Sequence, residues 1–161
     1  MYYTTYQSPF GEIILTANDK GLTALAFTEG EQPINIDTKH HKNNTYFLEV
    51  ITQLQQYFSH QRTTFDLPLA PQGTPFQQKV WQTLQTISFG DTQSYAWLAK
   101  KISNEKAVRA VGSANGKNPI ALIIPCHRVI GSNNKLTGYA GGLVLKAKLL
   151  THENASFIAL K

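Results

Sequence analysis

The sequence has a single cysteine in 161 residues. That excludes an internal disulfide framework and a cysteine-rich zinc site, and it suits a lone functional thiol in a reducing, intracellular setting. No apolar run reaches the length of a membrane span. Met1-Tyr-Tyr-Thr-Thr has neither a basic start nor an apolar core of the secretory type, so a cytoplasmic protein is expected. Internal repeats and low-complexity stretches are also missing. Acidic residues are scarce in the second half. Residues 1–74 hold four Lys and Arg against seven acids, a net −3, whereas residues 75–161 hold eleven against Asp91, Glu105 and Glu153, a net +8. The second half is therefore either a polyanion-binding surface or an inert basic one, and charge alone does not separate the two. The length fits one medium domain or two small ones, and 42% hydrophobic residues suffice for a core.

What is present centres on Ile120-Ala-Leu-Ile-Ile-Pro-Cys-His-Arg-Val-Ile130. Apolar residues lead into Pro125, and Cys126 is followed at once by His127 and Arg128. A thiol with an ordinary pKa of about 8.5 is expected to be acidified by such neighbours. The plainer reading is a buried core cysteine in a strand. Polar groups crowded against a buried thiol weigh against it, because burying them is costly without a purpose.

Along the chain, residues 2–6, 12–17 and 22–27 are β-prone and separated by Ser8-Pro-Phe-Gly11 and Asn18-Asp-Lys-Gly21 turns, which predicts a β-meander. Residues 28–44 read as mostly loop, with His40-His41 as solvated surface. Phe47, Val50, Ile51, Leu54, Tyr57 and Phe58 recur at helical spacing over 46–59, with Asn44 or Thr45 as cap. Arg62–Leu69 returns to strand character, and Leu69-Ala-Pro-Gln-Gly73 marks a boundary between domains 1–73 and 74–161. Thr74-Pro-Phe-Gln77 is a capping box with Pro at the first helical position. Ser94 caps a short helix to about Ile102, Ser103-Asn104 turns with a new cap, and 105–115 forms a helix rich in small residues. Two short helices around this turn look like a helix-turn-helix. Arg109 projects from the second. It is either a nucleic-acid contact or a solvated residue on a closely packed helix. Thr137-Gly-Tyr-Ala-Gly-Gly142 is a flat-ligand site or a mobile loop, and 143–152 is a final helix.

Ile124-Pro-Cys-His-Arg-Val-Ile130 closely resembles the active-site signature of the O6-alkylguanine-DNA alkyltransferases, the methylated-DNA–protein-cysteine methyltransferases. The resemblance extends to Thr74-Pro-Phe-Gln, Gly90-Asp-Thr-Gln-Ser-Tyr95, Arg109-Ala-Val-Gly112, Asn118-Pro119, Gly138-Tyr-Ala-Gly-Gly142 and Leu149-Leu-Thr-His-Glu153. It implies an α/β (α+β) chain with a ribonuclease-H-like N-terminal domain and a helical, winged-helix-like C-terminal domain. It further implies direct-reversal repair of double-stranded DNA. A monomer flips O6-alkylguanine out of the duplex and takes the alkyl group irreversibly, once per molecule, without a cofactor. Cys126 is then the nucleophile, His127 the base acting through water, and Glu153 the group that orients His127. Tyr95 helps to rotate the nucleotide and protonates the leaving guanine, while Ser94 touches phosphate or simply caps its helix. Arg109 replaces the flipped base in the stack. Ala110, Gly112, Ser113 and Ala114 are expected to let their helix into the minor groove, and Asn118 to brace the turn before Cys126. Tyr139 and Val129 line the guanine pocket, with backbone groups of Cys126, Val129 and Ala140 reading the base edge. The N-terminal half has no cysteine, so no zinc is expected there. Ala147 and Lys148 depart from the Glu and Trp that many members carry. Lesion-binding relatives that accept no alkyl group usually lack the cysteine that this chain has.

Overall fold

A computed structural model describes residues 1–30, 34, 36, 38–139 and 141–157. Strands β1 (Tyr2–Ser8), β2 (Gly11–Asn18) and β3 (Gly21–Phe27) form the expected antiparallel meander. Strand β4 (His41–Lys42) pairs in parallel with Tyr2 and Tyr3, giving the order β3-β2-β1-β4. The region read as loop thus contains a short edge strand, and residues 31–33, 35 and 37 of it lie outside the described residues. Side chains set both hairpin turns. Ser8 Oγ donates to the Gly11 carbonyl at 2.6 Å, and Asn18 Oδ1 accepts from the Lys20 and Gly21 amides at 2.9 and 3.2 Å.

Helix α1 (Leu48–Phe58) follows a single 3-10 turn over Thr45–Phe47. Asn44 stands at the N-cap of that turn, where its carbonyl accepts the Phe47 amide at 3.2 Å but its side chain makes no cap bond. Asn43 Oδ1 accepts the Tyr46 amide at 3.0 Å. The strand expected over 62–69 does not form. Gln53 of α1 bonds the Asp66 amide and carbonyl at 2.9 and 3.0 Å, and Arg62 bonds the Thr64 carbonyl at 2.9 Å. Side chains therefore satisfy backbone groups that a ladder would otherwise pair. Only the Leu22–Leu69 bridge remains strand-like. Gly21 admits this chain closely, since a Cβ there would lie 2.5 Å from the Pro68 carbonyl oxygen.

In the second half, α2 (Pro75–Leu84) carries the full Thr74–Gln77 capping box and buries Val80, Trp81 and Leu84. Strand β5 (Gln93–Ser94) leads into α3 (Tyr95–Lys101), where Ser94 Oγ accepts the Trp97 amide at 3.0 Å. Helix α4 (Val108–Gly116) begins three residues later than expected. Asn104 does not cap it. Its amide ends α3 on the Ala99 carbonyl at 3.0 Å, and its carbonyl takes the Ala107 amide at 3.0 Å. After α4 come a one-turn 3-10 helix over Cys126–Arg128, strand β6 (Val129–Ile130) and α5 (Leu143–His152). Strand β6 pairs in parallel with β5.

One apolar cluster joins residues from β2, β3, α1, α2, α3, α4 and α5. Edge strand β3 receives the segment before Cys126. The Leu25 amide bonds the Pro119 carbonyl at 2.9 Å, and the Ala121 amide bonds the Leu25 carbonyl at 3.0 Å. An open sheet edge is thereby covered, and it fixes where the cysteine sits.

Candidate active site

Cys126 opens its 3-10 turn rather than lying in a strand. The apolar run before it folds into turns, with Leu122 at φ 73°. Asn118 braces this stretch. Its Nδ2 donates to the Ile124 carbonyl at 2.7 Å and its Oδ1 accepts the Ile120 amide at 3.0 Å. Cys126 is 6% exposed. Burial raises its thiol pKa, only partly offset by the Asn118 amide, the Lys146 charge and backbone amides. The expectation of an acidified thiol is therefore corrected. Desolvation outweighs the neighbouring donors, and Arg128 is committed elsewhere.

Arg128 is paired with Glu153. Its Nε and Nη2 donate to Oε1 and Oε2 at 2.7 and 3.0 Å, while Nη1 donates to the Ile87 carbonyl at 2.7 Å. His127 Nε2 stands 2.8 Å from Glu153 Oε2. Tyr57, from α1, donates to the same oxygen at 2.6 Å. Four donor bonds reach the carboxylate, three on Oε2 and one on Oε1, and the bonds from His127 and Arg128 with the Arg128 charge hold its pKa well below the usual range despite burial. An ionised carboxylate only accepts, so Nε2 carries the imidazole proton and Nδ1 is the basic nitrogen. Nδ1 is buried and bonds no described protein group. Burial lowers the His127 pKa, although Glu153 opposes this, and the ring is neutral at pH 7.

Both shifts have the same consequence for stability. His127 and Glu153 bind fewer protons folded than unfolded. Their contributions are present above the ordinary His and Glu pKa values and are lost as pH falls below each. Melting temperature is expected to fall from pH 7 to 4. His127→Asn should flatten the slope near pH 6.5, the ordinary histidine value, and leave the carboxylate slope near pH 4.5. Calorimetry across this range checks both.

Lys146 was not anticipated. It is fully buried on α5, and its Nζ donates to the Val129 and Thr137 carbonyls at 2.6 and 2.9 Å. Burial lowers its pKa to about 8. A helical stripe from Lys146 through Leu149 and Leu150 to Glu153 was the available signal, since all four are buried. Tyr57 gave a weaker one: a phenol on a buried helix face needs a polar partner.

Tyr95 is half-buried, and its hydroxyl pairs with Thr137 Oγ1 at 2.7 Å. Burial raises its pKa, and a Cys126 thiolate would raise it further. Tyr139 is buried with an unpartnered hydroxyl, and Val129 is buried in the same core cluster. A cavity of about 220 Å³ has Cys126, Tyr139, Asn118, Ala121 and Phe27 in its walls. Ala140 lies outside the described residues. In the glycine-rich stretch a Cβ on Gly141 would meet Leu145 at 2.6 Å, whereas one on Gly138 or Gly142 would meet nothing within 4 Å.

Helix α4 exposes Arg109, Ala110 and Ser113, while Gly112 is half-buried near the Tyr95 ring. Ala114 is corrected. It is 3% exposed and faces inward, with its carbonyl accepting Trp81 Nε1 at 2.9 Å. Ser94 Oγ is occupied as a cap acceptor, leaving its hydroxyl proton to donate. Among the described residues, no group of three or more His, Cys, Asp or Glu is placed to hold a metal, and no helix is long and apolar enough to cross a membrane.

The model of the 6-O-methylguanine DNA methyltransferase DNA-binding domain matches residues 75–155, and that of the ribonuclease-like domain of the same proteins matches residues 1–71. The chain belongs to the methylated-DNA–protein-cysteine methyltransferase family. A Methanosarcina acetivorans member is 47% identical over 96% of this chain and 99% of the relative. The constitutive Bacillus subtilis member is 45% identical over 97% of each chain. Among solved structures, Mycobacterium tuberculosis OGT in complex with DNA superposes with a TM-score of 0.90 at 43% identity, over 96% of this chain and 95% of that one. Methyltransferases of this family perform direct DNA repair by alkyl transfer. The mixed α/β fold, with its helical second half, is that of the family.

Proposed function

We propose that this methyltransferase works as a monomer on double-stranded DNA, takes the alkyl group of a flipped O6-alkylguanine onto Cys126, and reacts once. The observation that carries the assignment is a buried thiol in a cavity wall, on a turn whose next residue is a neutral histidine oriented by a buried carboxylate. His127 Nδ1 takes the thiol proton through a water. The sulfur attacks the alkyl carbon, an S–C bond forms, and the C–O6 bond breaks. The departing guanine receives a proton from Tyr95. A raised thiol pKa makes the base necessary, and Lys146 and Asn118 supply charge and hydrogen bonding to the thiolate as it forms. Lys146 also holds the Val129 carbonyl, which reads the base edge together with the Cys126 and Ala140 backbones, while the Tyr139 ring lines the pocket.

DNA is the partner that the basic half and the helix-turn-helix suit, and Mycobacterium tuberculosis OGT is known bound to it. Helix α4 enters the minor groove through Arg109, Ala110 and Ser113, with Gly112 behind them. Arg109 fills the gap left by the flipped base, and Ser94 donates to phosphate. Arg109→Ala tests this. Repair of O6-methylguanine in a duplex should slow roughly tenfold or more, because unstacking costs a few kcal/mol that the arginine offsets. Reaction with free O6-benzylguanine should change little. Equal losses on both substrates would remove the insertion role.

A further inference from the structure

We propose that Tyr57 is a positioning residue of the transfer site. Its hydroxyl, reaching Glu153 from the N-terminal half, sets how strongly the carboxylate supports a protonated His127, and so sets the pH below which His127 no longer serves as base. The proposal rests on the reading of Cys126 as acceptor and His127 as base.

Tyr57 and His127 share one oxygen, Glu153 Oε2, at 2.6 and 2.8 Å. The Tyr57 side chain is completely buried. Its ring is held by Phe58, Phe65, Phe89 and His152, with centroids 5.1, 5.6, 6.0 and 4.8 Å away. His152 Nε2 also lies 2.9 Å from the Tyr57 carbonyl. The hydroxyl therefore has a fixed direction. Burial and the adjacent carboxylate push its pKa far above the ordinary phenol value, so it stays a donor throughout the working range.

A donor on Oε2 reduces the negative potential that this oxygen presents to the imidazole. Without it, Glu153 favours imidazolium more strongly, and His127 becomes protonated at a higher pH. The other charged or titratable groups around the pair are Arg128 on the same 3-10 turn, Lys146 on α5, Tyr139, Cys126, and His152, whose ring packs on Tyr57. Below neutral pH Arg128, Lys146, Tyr139 and Cys126 keep one charge state, and a His152→Gln background removes the second imidazole, so that the acid side of its rate profile reports His127. A core tyrosine with a merely satisfied hydroxyl would affect melting but not that profile.

The test is the single-turnover rate of the full chain with free O6-benzylguanine from pH 5 to 9, read as benzyl label on Cys126. Tyr57→Phe should move the acid midpoint upward by about half a unit to one unit, the shift expected for losing one hydrogen bond to a charged group. 2,3-Difluorotyrosine placed at position 57 alone is a more acidic phenol and a stronger donor. It should move the midpoint downward, and it decides the matter if Tyr57→Phe does not fold. An unchanged midpoint with the fluorinated residue, or a uniform loss of rate at every pH in Tyr57→Phe, overturns the proposal. Wild-type protein that takes no label on Cys126 would instead overturn the transfer reading beneath it.

Discussion

Cys126→Ala is expected to lose alkyl transfer entirely and to keep its hold on DNA. No other thiol exists in the chain to take over, and the neighbouring side chains are nitrogen or oxygen groups already held by Glu153, Ile87 and Thr137. DNA affinity should survive because Arg109, Ala110 and Ser113, the proposed DNA contacts, stand on the exposed face of α4, whereas the thiol is buried. The substitution shortens one buried side chain by a single atom, so the stability loss should be about 1 kcal/mol. Duplex affinity by titration and label transfer on the same sample separate the two properties. Transfer that persists in the alanine variant would remove Cys126 from the reaction.

Glu153→Gln produces the second large effect, on stability and rate together. Glu153 is 1% exposed and accepts from Tyr57, His127 and both Arg128 nitrogens. Glutamine removes the charge and turns one acceptor into a donor. Arg128 is then a buried cation without a counter-charge, a change that costs about 3–5 kcal/mol. His127 loses the partner that fixes its proton on Nε2, so both tautomers are populated and proton abstraction slows. A general base contributes about 10²–10⁴-fold, and a transfer rate at least 100-fold lower is expected where the variant stays folded. Urea denaturation and single-turnover kinetics measure the two losses. A variant as stable as wild type would mean that the Arg128–Glu153 pair is not a desolvated unit.

What the sequence made readable was local. The Thr74–Gln77 box and the Ser94 cap act over three residues, and both are present at the predicted positions. The Cys-His-Arg run fell on a buried 3-10 turn, and the meander followed from its turn residues. Contacts that span the chain stayed hidden. Tyr57 and Glu153 are 96 residues apart, and nothing in the helical stripe of α1 distinguishes a tyrosine that satisfies itself from one that serves a relay. The thiol is the clearest case. Adjacent charge in sequence suggested acidification, yet Arg128 turns to Glu153 and burial dominates, so the thiol pKa is raised instead. The strand read over 62–69 failed because Gln53 and Arg62 side chains took its backbone groups, and no alternation pattern encodes that. Ala114 had the size expected of a groove-facing residue but the wrong helical phase, since it shares the inward face with Val111 and Asn115.

The central claim is that Cys126 receives the alkyl group and keeps it. Intact-protein mass after incubation with a duplex carrying one O6-methylguanine, followed by peptide mapping, tests it directly. One added methyl group, on the peptide containing Cys126 and saturating at one per molecule, is the result expected. Tight binding of the lesion with no added mass, or a methyl group on any other residue, would contradict it.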